Sequence, residues 1–225
     1  MPPGLPPVIA IDGPSASGKG TVAQRVARQL AFHYLDSGAL YRVVALASLE
    51  AGIDLDDDAR VSAIALNLNV EFAESEVRLN SRSVTEAIRE ETISEGASRV
   101  AALPGVRAAL MVRQRSFRRA PGLVAEGRDM ATVVFLDAIL KIYLTASPEE
   151  RARRRYKQLI EKGLSANMTA LLQDICARDA RDSARAVAPL QMSGDAIEID
   201  TTAITAAEAT ARIVSCYERV LQRVP

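Results

Sequence analysis

At 225 residues the chain is long enough to bury a substantial core without needing two independent domains. Hydrophobic residues make up 48% and charged residues 25%, which excludes a disordered or fibrous chain. The 28 basic residues balance 28 acidic ones, so no global field draws the protein to nucleic acid or an anionic membrane, and any anion site has to be local.

Of the basic residues only Lys19, Lys141, Lys157 and Lys162 are lysines; the rest are arginine, the better planar, bidentate partner for phosphate. A codon-composition bias accounts for such an excess equally well. Cys176 and Cys216 sit in unrelated segments without metal-ligand spacing, and both are expected to be buried and reduced. The leading MPPGLPP has no basic or long apolar region, and no run of 18 apolar residues occurs, so a cytoplasmic address is expected.

In chain order, VIAID at 8–12 reads as a buried strand ending in a glycine-rich turn, followed by helical spacing through Val22, Ala23, Val26, Ala27 and Leu30. A short strand near 33–35 leads through DSG into a helix over 39–51 that closes at Gly52. From 64 to 99 NVEFA, EVRLN and SVT read as brief alternating strands, an inserted antiparallel lobe. Two helical stretches surround Pro104, and LVAEG at 123–127 and ILKIYLTA at 139–146 are core strands. Helices over 148–161 and 168–184, a strand over 196–200 and a closing helix over 205–223 complete the chain. This alternation implies an α/β fold, a parallel sheet with helices on both faces. The AspAspAsp run at 56–58 reads as a solvated helix start.

GPSASGKGT at 13–21 matches GxxxxGK, with Gly13, Gly18 and Lys19, between a strand and a helix as that motif requires. The chemistry needs glycines so that backbone N–H groups surround phosphate oxygens, and a helix N-terminus whose partial positive charge faces the anion. Pro14, Ser15, Ala16, Ser17, Gly20 and Thr21 complete the loop, and Lys19 reaches the β- and γ-phosphates of ATP. Because Gly20 follows Lys19 and the hydroxyl comes one later, Thr21 is expected to contact phosphate or a metal-bound water. No direct metal ligand is assigned, and Mg²⁺ arrives on ATP.

Three further motifs bear on the acceptor: DSGALYR at 36–42, VAEGRDMATVVF at 124–135 and RDARDSARAVAPL at 178–190. With the GKGT loop, the chain resembles bacterial-type cytidylate kinase from about Val8 to its last helix. The resemblance implies a P-loop nucleoside-monophosphate kinase fold: one kinase domain over 1–225, a five-stranded parallel sheet, a monophosphate-binding lobe at 64–99 and a lid at 151–168. It implies that Ser37, Arg42, Arg128 and Arg185 hold the acceptor phosphate, with Lys19, Arg128 and Arg185 catalytic. Ser98, Arg107 and Asp129 would contact cytosine, and Arg178 and Asp182 the ribose. The i, i+4 spacing of Arg178 and Asp182 also suits a plain salt bridge. Arg151 and Arg155 match a lid that covers the ATP phosphates, although a solvated basic face would read the same. The family's glycine after GRDM is Ala131 here, and its proline after VVF is Leu136.

Asp129 suits cytosine, because a carboxylate accepts from the exocyclic amine where uracil presents a carbonyl. Arg113, Arg115, Arg118 and Arg119 are expected on a solvated helix face, and His33, the only histidine, in packing or capping. Phosphoryl transfer depends on positioning and on spreading charge, and an acceptor phosphate is mostly dianionic at neutral pH, so no catalytic His or Glu is assigned. The expected reaction moves the γ-phosphate of MgATP to CMP or dCMP in a monomer that uses neither nucleic acid nor membrane. A kinase for UMP or AMP is the alternative. A nucleotide switch is disfavoured, since the chain has no NKxD motif and no DxxG after a strand.

Overall fold

A computed structural model describes residues 4–72 and 76–222. In chain order the elements are β1 (Val8–Asp12), α1 (Lys19–Gln29), β2 (His33–Asp36), α2 (Ser37–Glu50), α3 (Asp58–Leu66), β3 (Val70–Phe72), β4 (Val77–Leu79) and β5 (Arg82–Ser83). They continue with α4 (Glu91–Val100), α5 (Pro104–Ser116), β6 (Leu123–Gly127), β7 (Leu140–Thr145), α6 (Pro148–Glu161), α7 (Met168–Ser183), β8 (Ile197–Asp200) and α8 (Ala206–Leu221). The chain divides into two compact units, 36–116 and the remainder.

The larger unit is built on a five-stranded sheet in the order β2-β6-β1-β7-β8, with β1 parallel to both β6 and β7, and β7 parallel to β8. Every residue of β1 and β6 is buried, which is why both read as unbroken apolar runs, whereas β7 alternates. On one face Val22, Val26 and Ala27 of α1 and Ile213, Val214 and Tyr217 of α8 pack with Ile9, Ile11, Val124, Ile142 and Leu144. The Phe32 ring meets Tyr217 edge-on at 5.6 Å. The strands of this sheet end in the loops that carry GPSASGKGT and GRDM, the edge at which open α/β sheets bind ligands.

The second unit carries α2 to α5 and the three-stranded antiparallel sheet β3-β4-β5. That sheet occupies 70–83 only. Of the expected strand SVT only Ser83 lies in β5, and beyond it come a 3-10 turn at Ala87–Arg89 and α4, where Ile93, Ala97 and Val100 are buried at helical spacing, so the antiparallel strands stop well short of 99. Of the expected strand NVEFA, Ala73 lies outside the described residues, as does Arg223 of the expected closing helix. The acidic run does start a helix, with Asp57 capping α3 at Arg60 N–H.

Cys216 is buried, but Cys176 is exposed, contrary to the expectation for both. Arg118 and Arg113 are likewise not solvated: Arg118 Nε donates to Pro6 O at 2.7 Å and pairs with Asp137, and Arg113 Nη2 donates to Leu68 O at 2.6 Å. His33, expected in packing or capping, has Nε2 2.9 Å from Ala120 O in the loop before β6. No described helix is long and apolar enough to cross a membrane.

Candidate active site

The phosphate loop leaves β1 at Gly13, where a Cβ would lie 2.1 Å from Leu144 O on the adjoining strand, so only glycine lets the backbone turn there. Ala16 and Gly18 take positive φ (56° and 92°) on the way to the first turn of α1. Two arginines of α6 hold the loop from outside. Arg151 Nη1 donates to Ser15 O at 3.2 Å, and Arg154 Nη1 donates to Ser17 O at 3.1 Å. These bonds engage two of the loop's carbonyls and hold it in shape from the α6 side.

Arg151 is itself buried, bidentate to Asp179 (3.1 and 2.5 Å) and donating to Ala146 O at 3.0 Å. Arg154 also reaches Thr201 Oγ1 at 3.0 Å and Glu150 at 2.8 Å. Sequence reasoning singled out Arg151 and Arg155. Arg155 is half-buried on the same helix, and Arg154, missed in the sequence, touches the loop.

Lys19 is 5% exposed, its Nζ donating to Pro14 O at 2.6 Å. Burial, then the nearby Arg128 guanidinium, pushes its pKa down to about 7, against the opposing pull of Glu126 and Asp12. A buried lysine so depressed would regain its charge beside an added anion. Glu126, the buried fourth residue of β6, accepts a hydrogen bond from Tyr34 Oη. Its Oε1 would lie 3.0 Å from a Cβ at position 20, so Gly20 makes room for this carboxylate beside the loop. The pairing of residues 34 and 126 had no sequence signal.

After β6, Arg128 Nε donates to Asp182 Oδ2 at 2.8 Å, and Arg185 pairs with Asp182 Oδ1. Burial alone would raise the Asp182 pKa, but Arg128 and then Arg185 outweigh it and hold the carboxyl below the usual carboxylate range. Two of the three arginines expected to grip the acceptor phosphate are thus already organised around one anion. Arg178 lies one turn earlier on α7 and adds to the same field. Asp129 is buried at the head of a π-helical turn, Met130–Val134, whose first two N–H groups donate to Asp12 at 2.9 and 2.8 Å. Burial raises the Asp12 pKa to about 6, against the lowering effect of the Ala131 and Met130 N–H bonds. Ala131 is buried in this turn, and Leu136 is exposed beyond it.

In the second unit Asp36 caps α2, accepting from Ala39 N–H at 2.9 Å, and pairs with Arg42 at 2.7 Å, which keeps Arg42 at the helix N-terminus with buried Ser37. Ser98 on α4 and Arg107 on α5 are both buried, with Arg107 Nη1 donating to Ala101 O at 3.3 Å.

Residues 9–219 match the family model described as cytidylate kinase. The chain belongs to the cytidylate kinase family. It is 57% identical to a cytidylate kinase of Chromobacterium violaceum over 94% of this chain and 96% of that protein. A cytidylate kinase of Polynucleobacter necessarius is 54% identical over 95% and 99% of the two chains. Among solved structures, an uncharacterized protein from Eubacterium ventriosum superposes with a TM-score of 0.52 at 14% identity, covering 94% of this chain and 98% of that one, a likeness of fold alone. As a family member the chain is an ATP-dependent kinase, and GPSASGKGT and GRDM both fall inside the matched span.

Proposed function

We propose that this cytidylate kinase family member transfers the γ-phosphate of ATP to CMP or dCMP, giving ADP and CDP or dCDP. The observation that carries the reading is the tie between the two motifs: Asp12, immediately before the phosphate loop, accepts from Met130 and Ala131 N–H next to Arg128, so the GRDM turn starts beside the loop that holds buried Lys19. A cation from the donor loop and one from the acceptor motif thereby share one field, as transfer between two phosphates demands.

Each part of the chain has a task in this reaction. Loop N–H groups from Ser15 to Thr21 and Lys19 bind the ATP phosphates, with Arg151 and Arg154 keeping the loop in shape and Arg155 over the phosphates. Arg128 and Arg185, prealigned on Asp182, take the acceptor phosphate and the charge that builds on the transferred group. Asp129 reads the cytosine amine, and Arg178 and Asp182 face the ribose. Ser37 and Arg42 for the acceptor phosphate, and Ser98 and Arg107 for the base, belong to the same proposal on the family resemblance. The acceptor dianion needs no general base.

Mg²⁺ prefers oxygen ligands and keeps several waters, and the buried Glu126 carboxylate beside Gly20 fits as a partner for those waters. When bound, the ion neutralises charge on the β- and γ-phosphate oxygens. A small-molecule kinase of this kind is a cytoplasmic monomer with no nucleic-acid partner. Incubation with MgATP and CMP, followed by chromatography, is expected to give CDP and ADP in equal amounts; ADP without CDP would refute the transfer.

A further inference from the structure

Asp12 closes β1 immediately before the phosphate loop, and only 2% of it is exposed. Both its oxygens are used: Oδ1 accepts from Met130 N–H at 2.9 Å and Oδ2 from Ala131 N–H at 2.8 Å. Those are the first N–H groups of the turn Met130–Val134, which lack partners within the turn itself. Asp129 stands at the cap position, yet its side chain makes no cap hydrogen bond. A carboxylate 118 positions back along the chain therefore caps the turn in its place, and Asp129 is relieved of that role.

We propose that Asp12 is a positioning residue for the acceptor base: its two hydrogen bonds fix the turn that carries Asp129 and tie that turn to the start of the phosphate loop. The chemistry requires a carboxylate. Asparagine has one acceptor oxygen, and its amide nitrogen would face an N–H donor, so one bond is lost and replaced by a repulsive contact. The inference rests on the reading of Asp129 as the cytosine reader.

Full-length Asp12→Asn and Asp12→Ser are assayed at pH 8 with CMP, UMP and ATP as varied substrates, beside Asp129→Ala. Hydrogen bonds to charged groups are worth enough that losing one is expected to raise the CMP KM about tenfold and to lower the CMP/UMP preference. The ATP KM should stay within about twofold, since the loop keeps its own tethers from Arg151 and Arg154. A general loss of structure would lower the melting temperature and affect ATP and CMP alike, and that outcome, or an unchanged CMP KM, overturns the proposal. If Asp129→Ala keeps its CMP/UMP preference, the base-reading assignment fails on its own, and a raised CMP KM in Asp12→Asn alone still marks Asp12 as holding the acceptor turn. Should neither Asp12 variant fold, amide hydrogen exchange in the unaltered enzyme decides: slow exchange at Met130 and Ala131 supports the bonds, and rapid exchange at both refutes them.

Discussion

Binding of MgATP should draw a proton onto Lys19, and the size of the effect follows from the site. Burial and Arg128 hold the lysine at about 7, well below its ordinary 10.5, so at neutral pH and above the free enzyme carries much of it uncharged. Phosphate oxygens beside Nζ favour the ammonium and return the pKa toward its ordinary range. The sign then follows: between about 7 and the bound-state pKa the complex holds a proton that the free enzyme lacks. With a free-enzyme value of about 7, uptake approaches about 0.9 proton per ATP at pH 8 and falls to about 0.1 at pH 6. ATP affinity should weaken as pH rises through this window, approaching about tenfold per unit. Titration calorimetry at pH 8 in buffers of different ionisation enthalpy measures the uptake directly. An enthalpy independent of buffer at pH 8, or uptake undiminished at pH 6, would refute the placement of Lys19 against the phosphates. Fold stability without ligand has the same origin: a lysine depressed in the folded state makes stability rise with pH between about 7 and 10.5, because the unfolded chain holds the extra proton there.

Other substitutions test other parts of the site. Arg128→Ala is expected to lower turnover by at least about two orders of magnitude with the fold intact, since it removes charge from the transferred group; near-normal turnover would take Arg128 out of the catalytic set. Glu126→Gln should raise the Mg²⁺ concentration needed for half-maximal rate by about tenfold or more, as loss of partners around a metal does, and an unchanged Mg²⁺ titration would dismiss its metal role. Gly13→Ala should cost about 3 kcal/mol or more of stability, because the new methyl meets a strand carbonyl that cannot move aside; thermal denaturation checks this, and an unshifted melting temperature would contradict the close approach.

What could be read in the sequence was whatever the chain specifies locally. The buried strand LVAEG, the helix capped by Ser147 with Pro148 in its first turn, and the glycine loop each carry their signal within a few residues, and the structure places them where periodicity and capping put them. The three short strands of the inserted lobe were legible, but the last ends at Ser83, short of the expected Val84 and Thr85, which favour strands individually, and burial of Ile93, Ala97 and Val100 on one face sets a helix beyond. Contacts between distant positions had no local signal. Asp12 with Met130, Tyr34 with Glu126, Arg154 with Ser17 and Arg118 with Pro6 are each separated by about ninety residues or more along the chain. Arg118 and Arg113 illustrate the cost of reading charge alone: an arginine beside an unpaired carbonyl becomes part of the framework.

The central claim is tested most directly by ADP release in a coupled assay with purified protein and MgATP, offering CMP, dCMP, UMP, AMP, GMP or no acceptor in turn. Fast release with CMP and dCMP, slow release with UMP and almost none without acceptor is the predicted result. Turnover favouring another monophosphate would contradict the base-reading assignment of Asp129, Ser98 and Arg107, and release that ignores the acceptor would contradict the kinase reading itself.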